Sequence, residues 1–157
     1  MNHLVFLDAG ELEKILSGIK TMVLKEFDPS QFDDQPVRPG DTLYFLRDKH
    51  ECALRVKATV VRILPVPKNM DEDLSNFLKE MQPKLQITEN QYNYWSGKEQ
   101  ALLVEFDSAQ KMDVVHVAPH KIQDRSDWIA FEEFNLITQE NVLFGQPTFI
   151  RQERKEL

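Results

Sequence analysis

The chain has 157 residues, with 19 Lys and Arg against 26 Asp and Glu and a formal net charge of −7. That length suits one domain able to bury roughly 70% of the surface its unfolded chain exposes. The charge excludes a protein that tracks along a nucleic acid by neutralising many phosphates. The single Cys52 excludes an intrachain disulfide framework and fits a reducing compartment. No window approaches the ~18 consecutive apolar residues of a membrane helix. No charged-then-apolar leader opens the chain, so it is expected to be soluble and cytoplasmic.

Residues 3–7, HLVFL, predict a short strand. Asp8 followed by Glu11 gives a capping-box pattern, and Leu12, Ile15 and Leu16 give one buried helical face over 9–17. Gly18 supplies the left-handed residue that ends this helix. Residues 20–27, KTMVLKEF, predict the next strand, with Thr21, Val23, Lys25 and Phe27 on one face and Lys20, Met22, Leu24 and Glu26 on the other. Three prolines and three aspartates make 28–40 a loop, ending in the turn Pro39-Gly40-Asp41. Strands 41–47 and 53–64 then read as an antiparallel hairpin across DKHEC. A helix over 71–82 carries Leu74, Phe77, Leu78 and Met81 as its stripe. Thr88 caps a second helix that runs to Ser96 and stops at Gly97. Strands resume at 100–107 and 112–118. Residues 128–137, WIAFEEFNLI, fit strand or helix, and the charged tail RQERKEL is expected to fray. Helices at the ends of antiparallel strands predict an α+β fold, a small mostly antiparallel β-barrel with peripheral helices. One domain is expected over 1–137, with a C-terminal extension over 138–157.

The segments ILSGIKTMVLK at 15–25, PGDTLYF at 39–45 and VKATVVRI at 56–63 resemble, in this order, an ASCH domain of the PUA-like superfamily. The likeness covers about residues 10–64 well, and LLVEF beyond the helices is compatible with it. It implies a pseudobarrel whose cleft, between the first helix and the sheet, takes RNA or a nucleotide-like ligand. One bacterial branch with this layout is an amidohydrolase acting on N4-acetylcytidine through a lysine, a threonine and a glutamate. The lysine matches Lys20. The threonine position holds Val23, which has no hydroxyl to offer, and Glu80 and Glu89 match the glutamate only by lying in the helical region.

The residues support a site of this kind. Backbone amides at a helix–strand junction, with Lys20, Thr21, Lys25 and Arg38 nearby, can hold an anion or a nucleotide phosphate. Their bland alternative is a solvated strand edge. Tyr92 and Tyr94 are candidate base-stacking platforms, each such contact being worth roughly 1–3 kcal/mol, whereas Trp95 is read as core. His116 and His120 have an i, i+4 spacing that suits a metal on a helix. Pro119 interrupts them and no third ligand is close in sequence, so no metal or other cofactor is expected. Cys52 sits in a turn with nothing to activate it. Glu132, Glu133 and the run Asp71–Asp73 read as solvated charge. The leading expectation is a PUA-like module that binds RNA or a nucleotide-derived ligand. The alternatives are an amidohydrolase of a modified nucleoside centred on Lys20, and a protein-interaction domain using an apolar surface within 128–150.

Overall fold

The computed structural model describes residues 1–26, 37–47, 52–66, 71–97, 101–122 and 128–138. The strands β1 (Asn2–Phe6), β2 (Met22–Glu26) and β3 (Thr42–Leu46) are buried on both faces, burial alternates along β4 (Ala53–Pro65), and α1 (Glu11–Leu16) lies between β1 and β2 in sequence. Two helices follow, α2 (Asp71–Leu85) and α3 (Glu89–Ser96). Then come the long strand β5 (Ala101–His116), the short helix α4 (Pro119–Ile122), β6 (Trp128–Phe131) and a 3-10 turn at Phe134–Leu136.

These strands make one six-stranded sheet in the order β2-β5-β4-β3-β1-β6. Every pairing is antiparallel except β1 with β3, where Asn2 pairs with Thr42 and Phe6 with Leu46. In a flat sheet the outer strands would stand about 24 Å apart, five gaps of about 4.8 Å. Here the ammonium of Lys25, on outer strand β2, lies 5.9 Å from the ring centre of Trp128 on outer strand β6. The sheet is therefore curled into a half-barrel whose edges meet through side chains. Three register shifts between β4 and β5 help it bend. One inserts Ser108, at φ 58°, between the pairs Lys57–Gln110 and Thr59–Asp107.

The interior is apolar, with Val5, Val23, Leu43, Phe45, Val56, Val60, Val104 and Phe106 packed beneath Leu12 and Ile15 of α1. On the outer face, Leu78 and Leu85 of α2 bury Met22 and Leu103. At the other end Leu4, Tyr44, Leu46 and Leu54 pack with Phe131 and Ile137. The Tyr44 and Phe134 rings meet edge-on at 4.9 Å. Glu105 ties the layers together, accepting from Arg62 at 2.8 Å and Lys84 at 3.1 Å.

The α+β half-barrel agrees with the sequence reading, as do the β3–β4 hairpin, the left-handed Gly18 at φ 82° and Thr88 as the N-cap of α3. Other boundaries differ. Helix α1 starts at Glu11 behind Gly10, because the Asp8 carboxylate bonds Gln91 instead of capping. Strand β2 starts at Met22, so Lys20 and Thr21 precede it. The strands expected at 100–107 and 112–118 are one strand, since a bulge at Ser108 bends the ladder without ending it. Helix α2 runs through Pro83 to Leu85; a proline in its last turn forfeits one bond and the end is held from outside. The segment 128–137 divides into β6 and the 3-10 turn. Most of the 28–40 loop, most of the 48–52 turn and all of the expected extension beyond Thr138 lie outside the described residues.

Candidate functional site

A helix leaves its last four carbonyls without partners inside itself. In α2 each has one. Gln86, left-handed at φ 53°, donates its amide to Gln82 and its side chain to Pro83, at 2.9 and 3.0 Å. The Thr21 amide donates to the Lys84 carbonyl at 2.9 Å, and the Lys20 ammonium to the Leu85 carbonyl. Lys20 is only 1% exposed, and its second partner is Glu11 at 3.2 Å. Glu11 also accepts from the Asp8 amide at 2.6 Å and from Gln91 at 3.3 Å. The cation thus sits at the negative end of a helix, beside one carboxylate. Burial still pulls the Lys20 pKa below its ordinary value, outweighing the attraction of Glu11. Lys20 and Thr21 form the C-terminal cap of α2.

The second polar group lies inside the half-barrel, where its edges meet. His3 is fully buried on β1. The Trp128 indole N–H donates to its Nδ1 at 3.0 Å, and its Nε2 lies 2.9 Å from Asp41 Oδ2. Since an indole nitrogen only donates, Nδ1 must be the acceptor and Nε2 must carry the proton. Burial pushes the His3 pKa below 6.5 despite Asp41. Asp41 also receives the Arg38 amide at 2.9 Å and the Met1 ammonium at 3.3 Å. Its own burial opposes ionisation, yet the bonds from His3, Arg38 and Met1 hold its pKa below 3.8. Lys25, 5% exposed, completes the group above the Trp128 ring.

The residues expected to line one cleft therefore divide. Lys20 and Thr21 belong to the α2 cap, while Lys25 and the Arg38 backbone belong to the interior group. The division follows from β2, where Met22 and Leu24 face α2 while Val23 and Lys25 sit in the buried interior. The Arg38 side chain is exposed. Tyr92 is half-buried against the α2 cluster, and Tyr94 is 49% exposed. No residue of α3 is fully buried, so Trp95 is not the core anchor expected of it; it meets Tyr94 edge-on at 5.3 Å. His116 is exposed on β5 and His120 on α4. His3, Asp41 and Trp128 were missed. The available signals were a histidine in an otherwise apolar strand and an aspartate after a Pro-Gly turn.

The curled six-stranded α+β half-barrel with helices packed on it agrees with the PUA-like architecture expected from the sequence, and solved structures share the fold. The crystal structure of an ASCH protein from Zymomonas mobilis matches with a TM-score of 0.59 at 14% identity, covering 88% of this chain and 96% of that one. A single-substitution variant of the same protein matches with a TM-score of 0.61, also at 14% identity, covering 87% and 96%. The chain has the ASCH fold. No protein-family model matches the sequence, and a search of curated proteins finds no match.

Proposed function

We propose that this chain is a binding domain for RNA or a nucleotide-derived ligand, with its site at the seam between β2 and β6. One observation carries the reading: a cation, an imidazole, a carboxylate and an indole gather inside an otherwise apolar half-barrel. Buried polar groups are costly, and where they converge they mark a site. Trp128 offers a ring whose orientation His3 fixes. Lys25 lies over that ring, and Arg38 sits exposed at the rim. A base stacked on the indole face away from Lys25, with a phosphate near Arg38, uses the ring and the rim cation, as unpaired bases in RNA are commonly read.

The amidohydrolase reading keeps one supporting observation, the Glu11 carboxylate 3.2 Å from Lys20. Against it, Val23 is buried in the interior while the Lys20 ammonium caps α2. The test is a titration of isotope-labelled protein with a nucleoside panel, N4-acetylcytidine included, and a short structured RNA, with product followed in the same tube. Saturable amide shifts at residues 3, 25, 38 and 128 support the binding site. Product formation moves the assignment to an enzyme. No shifts anywhere remove the ligand reading.

A further inference from the structure

His3 is held in one tautomer by opposed partners. Its Nδ1 accepts from Trp128 at 3.0 Å and its Nε2 proton faces Asp41 at 2.9 Å. A second proton can go only on Nδ1. There it would point at the indole N–H, placing two donors against each other at hydrogen-bond distance. Asp41, already ionised, holds the other end of the imidazole more tightly once the ring is charged, because their hydrogen bond then becomes an ion pair between opposite charges. The ring therefore stays and the indole leaves.

From this geometry we infer that His3 is a proton-operated latch on β6: adding a proton at Nδ1 expels the Trp128 indole and opens the seam between β2 and β6. Among the described residues, the charged and titratable groups that face His3 come from three places. Asp41 comes from the turn before β3, Lys25 from β2 and the Met1 ammonium from just ahead of β1, while β6 contributes the uncharged Trp128. Lys25 and Met1 oppose a second positive charge and Asp41 favours it. Burial opposes it most, so the latch is closed at neutral pH and opens on the acid side of 6.5. Loss of the indole also removes the cation–ring contact of Lys25, which joins the two outer strands. The inference concerns the seam itself and does not depend on any ligand.

The test uses the full chain and its two indole N–H resonances, Trp128 being assigned by W95F. Imidazole nitrogen shifts should show the Nε2-protonated tautomer at neutral pH. As pH falls, the Trp128 indole resonance should move with the same midpoint as the His3 ring, while amides of α2 and α3 stay dispersed. In H3N, whose amide oxygen takes the Nδ1 position, the indole should stay put over that range. Three results would overturn the latch: an Nδ1-protonated tautomer at neutral pH, a titrating His3 beside a stationary indole, or loss of all dispersed amides in the same step. The first two are read on protein with His3 intact, so they decide the matter even if H3N does not fold.

Discussion

Lys20 shows how a charge survives burial. Two of its ammonium bonds are made, one to a helix end and one to Glu11. Removing one partner of a buried ion pair generally costs about 3–5 kcal/mol. Glu11 keeps its bonds from Asp8 and Gln91, so K20M should cost about 3 kcal/mol, the low end of that range. A lowered urea midpoint at unchanged m would show it; an effect under about 0.5 kcal/mol, the size of an ordinary surface substitution, would mean that Lys20 is not buried. His3 and Asp41 set the acid limit. Below about pH 6.5 the unfolded chain takes up a proton on His3 that the folded chain refuses, so stability falls with pH until folded His3 is itself protonated. Asp41 contributes stability that is complete above 3.8 and is lost as pH falls through its depressed folded value. Denaturant midpoints from pH 8 to pH 3 should therefore fall in two stages, and H3N should lack the first. The Lys20 shift acts in the alkaline window. Between its lowered folded pKa and 10.5 the unfolded chain holds more protons, so that group's contribution rises with pH.

At the scale of elements, apolar runs bounded by turns made β1 and β3 legible, alternation β4, and cap chemistry α3. Thr88 caps α3 as the sequence predicts, its partner in a full capping box being Gln91, and Val56, Ala58 and Val60 are buried as their spacing requires. What pattern alone did not reveal depends on partners far away in sequence. Lys20 looks like a strand-edge residue until the end of α2, 65 positions on, comes to rest against it. Strand β5 looks interrupted because a bulge residue breaks the alternation without breaking the ladder. That bulge carries a prediction. Ser108 occupies the left-handed region at φ 58°, where a residue with a Cβ is strained by roughly 1–2 kcal/mol and a β-branched one fares worst. S108V should lower the melting temperature by an amount equivalent to at most about 1 kcal/mol, the extra strain of β-branching beyond what Ser108 already bears. S108G should change it little, the relief of strain offsetting the greater freedom of the unfolded glycine. Equal melting temperatures for the two would mean that the bulge is not at Ser108.

The molecule as a whole is a sheet closed by side chains. Curvature cannot be read from any one strand, and for this reason His3, Asp41 and Trp128, 125 residues apart at their widest, escaped recognition as a group. The candidate site was legible in part: Lys25 and Arg38 were named, but as companions of Lys20, from which the two faces of β2 separate Lys25. Fully buried tryptophans cost about 3–5 kcal/mol when truncated to alanine. The half-buried Trp128 should cost about 2 kcal/mol by the same reasoning. W128A should also speed amide exchange in β2 and β6 together; faster exchange in β6 alone would mean that the edges do not support each other. If RNA binds at the seam, Lys25 and Arg38 offer it one or two phosphate contacts. The slope of log affinity against log salt should then be about −0.7 to −1.4, and a slope of −4 would point to a different, extended surface.

The place of β1 in the sheet has a consequence for biosynthesis. It lies between β3 and β6, pairing Asn2 with Thr42 on one side and with Phe131 on the other. The strand synthesised first among those described acquires its second neighbour only when the last one leaves the ribosome. Until then His3 sits in an incomplete wall, without the indole that satisfies its Nδ1. Closure of this half-barrel therefore waits for pairing between strands far apart in sequence, the kind of long-range pairing that slows folding. A nascent chain arrested before residue 128 would expose one free edge of β1, a template for pairing with another chain.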